Sequence, residues 1–332
     1  AINVFSSSIF LAGIGILYGI TGTLNLQMLG EYLPLVQNKT MVSIAAVFFV
    51  VSFGIKAALF PLFFWLPSTY HTAPIGFTAL VVALLTKVGV YSLIRFFTLV
   101  LPLHGTIFQP ILLTLSGFTM VVGVLGAAAQ TDFRKILSFH IVSQIGYMIM
   151  GLAIYTPLAI AGAIFFVAHN VLVKTNLFFI SGVVNKVFGS YKLKELGGVY
   201  KKFPFIALLF AISAFSLTGI PPLSGFWGKY ILAVGGFSVK HWLPVTITAI
   251  SLGVSLLTLF SMTKIWNEVF WKPNPEIIES KLTQFSRIKD VFIRYPGMII
   301  SVVLLSVLIL ILGFFPGYII ETTMEISKTI LP

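Results

Sequence analysis

The chain has 332 residues, 58% hydrophobic and only 9% charged, whereas soluble domains carry about 25% charged residues; an ordinary soluble enzyme is excluded and an all-α polytopic membrane protein is indicated. No cysteine is present, which excludes disulfides, iron–sulfur clusters and thiolate zinc sites within the chain. The net charge of +12 sits mostly between apolar runs, where it reads as membrane topology and not as a nucleic-acid surface.

Apolar runs of roughly 18 residues or more cross a bilayer as helices. Nine spans are predicted in chain order: 1–20, 41–65, 75–99, 107–128, 135–154, 158–185, 204–235, 242–266 and 295–320. These runs are continuous, unlike the alternating ~10-residue strands of an outer-membrane barrel. No Lys or Arg precedes the first span, so a signal peptide with a basic n-region is not visible. The second span contains "FGIKAALFPLFFWLP", Phe53 to Pro67, in which Lys56 is followed by Pro61 and Pro67. The seventh contains "LTGIPPLSGFWGKY", Leu217 to Tyr230, in which Gly219, Pro221, Pro222 and Gly225 precede Lys229. Proline removes an amide donor and clashes with the preceding turn, so both spans are expected to be discontinuous. Backbone groups freed at membrane depth survive only where protein or water satisfies them, which predicts a polar pocket at each break. The echo between "PLFFW" and "PLSGFW" is a pointer to an inverted repeat, with ordinary proline kinks as the other reading.

The loops 66–74, 129–134, 186–203 and 267–294 and their margins hold twelve Lys and Arg, Arg134 and Lys135 among them, against Lys39, Lys240 and Lys328 on the other side. The positive-inside rule then places the N-terminus in the cytoplasm and the C-terminus outside the cell membrane. Glu276 to Arg294 mixes charge with Ile, Leu and Phe and reads either as an interfacial amphipathic helix or as a solvated loop. Arg95 and Lys264 can snorkel from span ends, but Lys56, Lys87, Lys174 and Lys229 lie deeper. A lysine at a helix centre costs about 2.5–3.5 kcal/mol on insertion scales, which makes these four functional candidates. His140 and His169 also fall within spans, either as hydrogen-bonded packing residues or as proton relays. All nine acidic residues lie in loops or at span ends, so no carboxylate is at hand inside the membrane to pair with the lysines.

Four blocks, Phe53–Phe96, "QTDFRKILSFHIVSQIGYMIMGL" (Gln130–Leu152), "AHNVLVKTNLFFISG" (Ala168–Gly182) and Leu217–Tyr230, closely resemble the antiporter-like subunits shared by Mrp cation/proton antiporters, complex I and membrane-bound hydrogenases. The wording is most similar to the D-type Mrp subunit and its archaeal hydrogenase or sulfur-reductase counterparts. The resemblance implies inverted five-helix repeats with a broken helix in each. It divides the chain into a remnant of the first repeat (1–99), a second repeat (107–266), a cytoplasmic loop or interfacial helix (267–294) and a last membrane helix with an external tail (295–332). It equates Lys56 and Lys229 with the charged residues of the two broken helices, Lys87 with the lysine of the helix after the first break, and Lys174 with the central lysine beside His169. The chain departs from the family at its start. The first helices have no counterpart, including the one whose glutamate pairs with the equivalent of Lys56, so that acid comes from a missing stretch or a neighbouring subunit, or the half-channel is degenerate.

The expected function is translocation of protons by one membrane subunit of a multisubunit respiratory complex, along a row of Lys56, Lys87, His169, Lys174 and Lys229 with His140 as a further relay. The alternatives are a subunit of a Na+/H+ antiporter complex and a truncated, non-conducting structural paralogue. No cofactor and no metal are expected in this chain. The expected partners are other membrane subunits, one of them supplying a carboxylate to Lys56, and an iron–sulfur redox arm on the cytoplasmic side; nucleic acid is not expected.

Overall fold

The computed structural model describes residues 2–273 and 288–331, and these form an all-α membrane assembly. In chain order the helices are α1 (Ile2–Thr21), α2 (Leu26–Tyr32), α3 (Lys39–Ala57), α4 (Trp65–Tyr70), α5 (Ile75–Arg95), α6 (Phe108–Ala129), α7 (Phe133–Ile154), α8 (Pro157–Phe188), α9 (Val199–Lys202), α10 (Pro204–Thr218), α11 (Ser224–Ser238), α12 (Trp242–Ile265), α13 (Ile288–Arg294), α14 (Pro296–Phe314) and α15 (Gly317–Ile330). Single π-helical turns extend α5 through Phe96–Val100 and α12 through Trp266–Trp271. Eight helices among the described residues are long and apolar enough to cross a bilayer; the ninth expected span is the interrupted pair α10 and α11.

Local chemistry sets several helix starts. Asn38 accepts from the Met41 amide, Asp132 from that of Lys135, and Thr156 from that of Ala159 with Pro157 at the first helical position. Each side-chain oxygen satisfies an amide that has no partner within the helix. The 32-residue α8 runs through the assembly and packs against α5, α7, α10, α11, α14 and α15. Beside it, α7 is buried along almost its whole length. Lipid tails are as apolar as these side chains, so van der Waals fit and interhelical hydrogen bonds hold the helices together.

Both expected breaks are present, but the first comes earlier than its prolines suggest. α3 stops at Ala57, with Ala58 in the left-handed region at φ 61°, and the chain resumes only as the six-residue α4. The span predicted to run to residue 65 therefore ends eight residues sooner, because the left-handed residue turns the backbone before Pro61 is reached. At the second break α10 ends at Thr218, Gly219 at φ 92° caps it, and α11 begins at Ser224. The last predicted span is also shorter, ending at Phe314, and the tail after it folds as the amphipathic α15 with Thr323 and Ser327 buried against the body. The stretch Glu276 to Arg294 lies largely outside the described residues, of which α13 covers the end.

The second break depends on close backbone approach. A Cβ placed on Gly225 would overlap the carbonyl oxygen of Ser216, which is backbone and cannot swing away. Gly225→Ala should therefore destabilise the chain by about 1–3 kcal/mol, the range for overpacking, and lower the thermal midpoint of the detergent-purified complex. Gly253→Ala on α12, where an added Cβ meets nothing within 4 Å, should leave that midpoint unchanged.

Candidate functional site

Three lysines are buried at the middle of the assembly, each on a different helix. Lys87 of α5 is 5% exposed, Lys174 of α8 0% and Lys229 of α11 8%. The Lys87 ammonium donates to the Val82 carbonyl at 2.6 Å, one turn back on its own helix. Lys229 reaches across the second break and donates to the carbonyls of Leu217 at 3.1 Å and Thr218 at 2.9 Å. Those carbonyls end α10, where the helix has run out of amides and carries the negative end of its dipole. The interruption in the sequence thus builds a seat for a cation, and the Tyr147 ring covers that ammonium at 5.0 Å.

Lys174 differs from both neighbours. Its Nζ has no hydrogen-bond partner among the described residues, and the charges that act on it are those of Lys87 and Lys229. α8 packs against α5 and against α11, so Lys174 lies on the helix that links the other two lysines. His169, one turn earlier on α8, bonds through Nδ1 to Ser224 Oγ at 2.9 Å, and Ser224 meets Ser216 Oγ at 2.8 Å, so a histidine and two serines line the second break. His140 of α7 meets Ser261 of α12 at 2.5 Å through Nε2. Lys174 and Lys229 are the charges that act on both histidines. One buried group therefore gathers five of the six residues singled out in the sequence: Lys87, His140, His169, Lys174 and Lys229.

Lys56 stands apart from that group. It is half-buried on the last turn of α3, with Nζ 3.4 Å from Asn3 Oδ1 of α1, beside a groove that Ser7, Ser52 and Ser92 also line. The carbonyls freed at its own break are met by other groups. The Leu59 amide donates to the Gly54 oxygen at 2.9 Å, and both the Ala58 amide and the Trp65 indole donate to Ile55. The two proline stretches look alike in sequence, yet only the second uses its lysine to close the break.

Sequence reasoning missed several polar members of the site. Asn176 of α8 donates to Ser213 of α10 and Ser306 of α14, both at 2.8 Å, and ties the three helices together. Tyr147 bonds to Ser251 and Ser255 of α12, and Gln144, one turn from His140, is 1% exposed. Neutral residues of this kind carry no penalty that marks them in an apolar run, although serines flanking a double proline were a usable signal. Arg134, counted in the sequence as a loop cation, is 4% exposed. Its Nη2 donates to the carbonyls of Tyr70 at 2.9 Å and Ala73 at 2.6 Å, and its guanidinium lies 4.7 Å over the Tyr191 ring. It pins the connection between the first break and α5 instead of meeting water. Among the described residues no group of three or more His, Asp or Glu is placed to hold a metal ion.

Interrupted membrane helices gathered around a buried lysine row define an antiporter-like membrane subunit. Residues 1–256 match the family described as "NADH:quinone oxidoreductase/Mrp antiporter, TM", and the chain belongs to that family. It is 42% identical over 330 residues to the D-type subunit of the Na(+)/H(+) antiporter of Alkalihalophilus pseudofirmus, a match covering 99% of this chain and 64% of that protein. Its fold superimposes on a chain of the Mrp complex of Dietzia sp. with a TM-score of 0.87 at 29% identity, covering 99% of this chain and 66% of that one. A chain of respiratory complex I from Thermus thermophilus gives a TM-score of 0.83 at 25% identity, with coverages of 99% and 68%. The chain thus spans about two-thirds of the length of these relatives.

Removal of the Arg134 guanidinium would leave the Tyr70 and Ala73 carbonyls without their donor. Hydrogen bonds to a charged group contribute about 1.5–3 kcal/mol, so Arg134→Met should destabilise the complex by about that amount. Arg134→Lys should recover part of it, since an ammonium keeps the charge but not the planar fork. Thermal unfolding of the purified complex with each variant checks both.

Proposed function

We propose that this chain conducts protons within a cation/proton antiporter complex of the Mrp type, as one of several membrane subunits. The observation that carries the reading is the buried row Lys87, Lys174 and Lys229, in which the middle ammonium has no hydrogen-bond partner among the described residues. A desolvated lysine flanked by like charges exchanges its proton readily, and a change of charge at one member alters the proton affinity of the next. His169 and His140 adjoin the row through the serines of the second break and of α12. Two curated relatives, each named as the D-type component of a Na(+)/H(+) antiporter, support the antiporter reading over a redox-driven one.

Lys56 in this reading takes its carboxylate from a neighbouring helix of the complex, beside the groove that Asn3 and Ser7 share. A hard sodium ion wants oxygen ligands, and a row of cations offers none, so the sodium route lies outside this row. The basic loops face the cytoplasm; with Arg134 buried, eleven of the twelve cations counted on that side remain to set the orientation. A second reading is a redox-driven pump with an iron–sulfur arm on the cytoplasmic face, supported by the similarity to the complex I chain.

Membrane vesicles carrying the complex, given a proton gradient and no electron donor, separate the two. Addition of sodium or potassium should dissipate the gradient. A requirement for an electron donor would favour the pump. Lys174→Ala should abolish the exchange while the complex still assembles; exchange at the unmodified rate would instead leave the chain as a structural paralogue.

A further inference from the structure

The row explains the centre of the membrane but not how protons reach it from a surface, and a second set of polar side chains leads there. On α12, Ser251, Ser255, Thr258, Ser261 and Lys264 recur every three or four residues, which places them on one helix face. On α7, His140, Gln144 and Tyr147 do the same. Two contacts fix these faces against each other: His140 with Ser261, and Tyr147 with Ser251 at 2.5 Å and Ser255 at 2.8 Å. Gln144 lies between those contacts along α7, as Thr258 does along α12.

Gln144 carries the argument. It is 1% exposed, and neither its Oε1 nor its Nε2 has a hydrogen-bond partner among the described residues; the same holds for Nδ1 of His140 beside it. An amide buried at membrane depth without partners is strongly disfavoured, and native proteins meet such groups with protein or water. The α12 hydroxyls spend their protons on their own helix: Ser255 donates to Ser251, Thr258 to Val254 and Ser261 to Thr258. Their oxygens keep lone pairs as acceptors. Water between an amide that needs acceptors and donors and a stripe of accepting hydroxyls would find the two to four partners that buried water requires. The stripe joins the row at one end, where Tyr147 covers the Lys229 ammonium. At its other end the half-buried Lys264 donates to the carbonyls of Ala128 at 3.0 Å and Gln130 at 2.8 Å, on the face that carries the basic loops.

We infer that the α7–α12 seam is a hydrated proton branch running from Lys229 past Tyr147, Gln144, Thr258, His140 and Ser261 to Lys264, with Gln144 as the residue that orders its water. This rests on the proton-conducting reading of the lysine row. It adds an access route on the side of the basic loops and assigns a role to a neutral side chain.

The chain has no cysteine of its own, so single cysteines introduced into it can be mapped in the intact complex. Thiols react as thiolates and become inert in apolar surroundings, so modification reports water. Ser261→Cys, Thr258→Cys and Gln144→Cys, treated in vesicles with a small water-soluble methanethiosulfonate, should each be modified, as read by peptide mass spectrometry. Leu257→Cys, on the outward face of α12 at 38% exposure, should not. In parallel, Gln144→Leu should slow proton translocation on the order of tenfold, equal to about 1.4 kcal/mol in the barrier, and Gln144→His should restore most of the rate. Unmodified cysteines at 144 and 258 would overturn the branch, as would an unchanged rate for Gln144→Leu in a complex that Lys174→Ala silences. If Lys174→Ala is itself silent, the lysine-row reading falls instead, and the cysteine pattern still decides whether the seam holds water.

Discussion

A helix interrupted inside a membrane must find partners for the carbonyls it frees, and the second break meets that demand with an ammonium. Thr218 and Leu217 end α10 with no amides above them, and Lys229, twelve residues after Leu217, returns to fill the place. One side chain thereby solves two problems, since the carbonyls need donors and the lysine needs acceptors where no carboxylate is present. The arrangement holds the charge in place without neutralising it. An ion pair with a carboxylate would bind the proton more firmly, whereas carbonyl dipoles and the Tyr147 face leave it open to exchange.

The neighbouring helices are organised around that charge. α8 brings Lys174 and His169 to it on successive turns, and the Ser224–Ser216 pair connects His169 to the backbone of the break. Gly219 and Gly225 make this possible, one because its φ of 92° suits no side chain well, the other because the Ser216 carbonyl occupies the space of a Cβ. Asn176 locks α10 and α14 to the same helix. The cluster is polar throughout, yet its members are mostly neutral, so a change at one lysine is felt by the others with little screening.

The first break shows what the same motif does without such a cluster. Its freed carbonyl at Ile55 is closed by an indole, that of Trp65, while Lys56 turns to the half-exposed flank beside α1. Trp227, the matching tryptophan of the second stretch, instead donates to Gly313 of α14 at 2.8 Å. The related sequences "PLFFW" and "PLSGFW" therefore place their lysines and tryptophans in exchanged roles, which follows from the partners within reach of each.

Much of this was legible in the residues alone. Continuous apolar runs require helices in a bilayer, prolines and glycines require them to break, and a buried lysine is too unfavourable to be incidental; the all-α membrane fold, both interruptions and five members of the buried group follow from those three facts. Only the tertiary structure decided which charges meet. Lys56 and Lys87 read alike as intramembrane cations, but α8 packs against α5, so Lys87 joins the row and Lys56 does not. Arg134 read as a loop cation because it follows Asp132 at a span's edge, yet the carbonyls of Tyr70 and Ala73, some sixty residues earlier, draw it inside. Gln144 gave no signal because a neutral amide changes hydropathy little, and its position between His140 and Tyr147 acquires meaning only when α12 lies against it. Residue order sets the transfer energy of each segment into the membrane, while contacts between segments far apart in the chain decide which polar groups share a cavity.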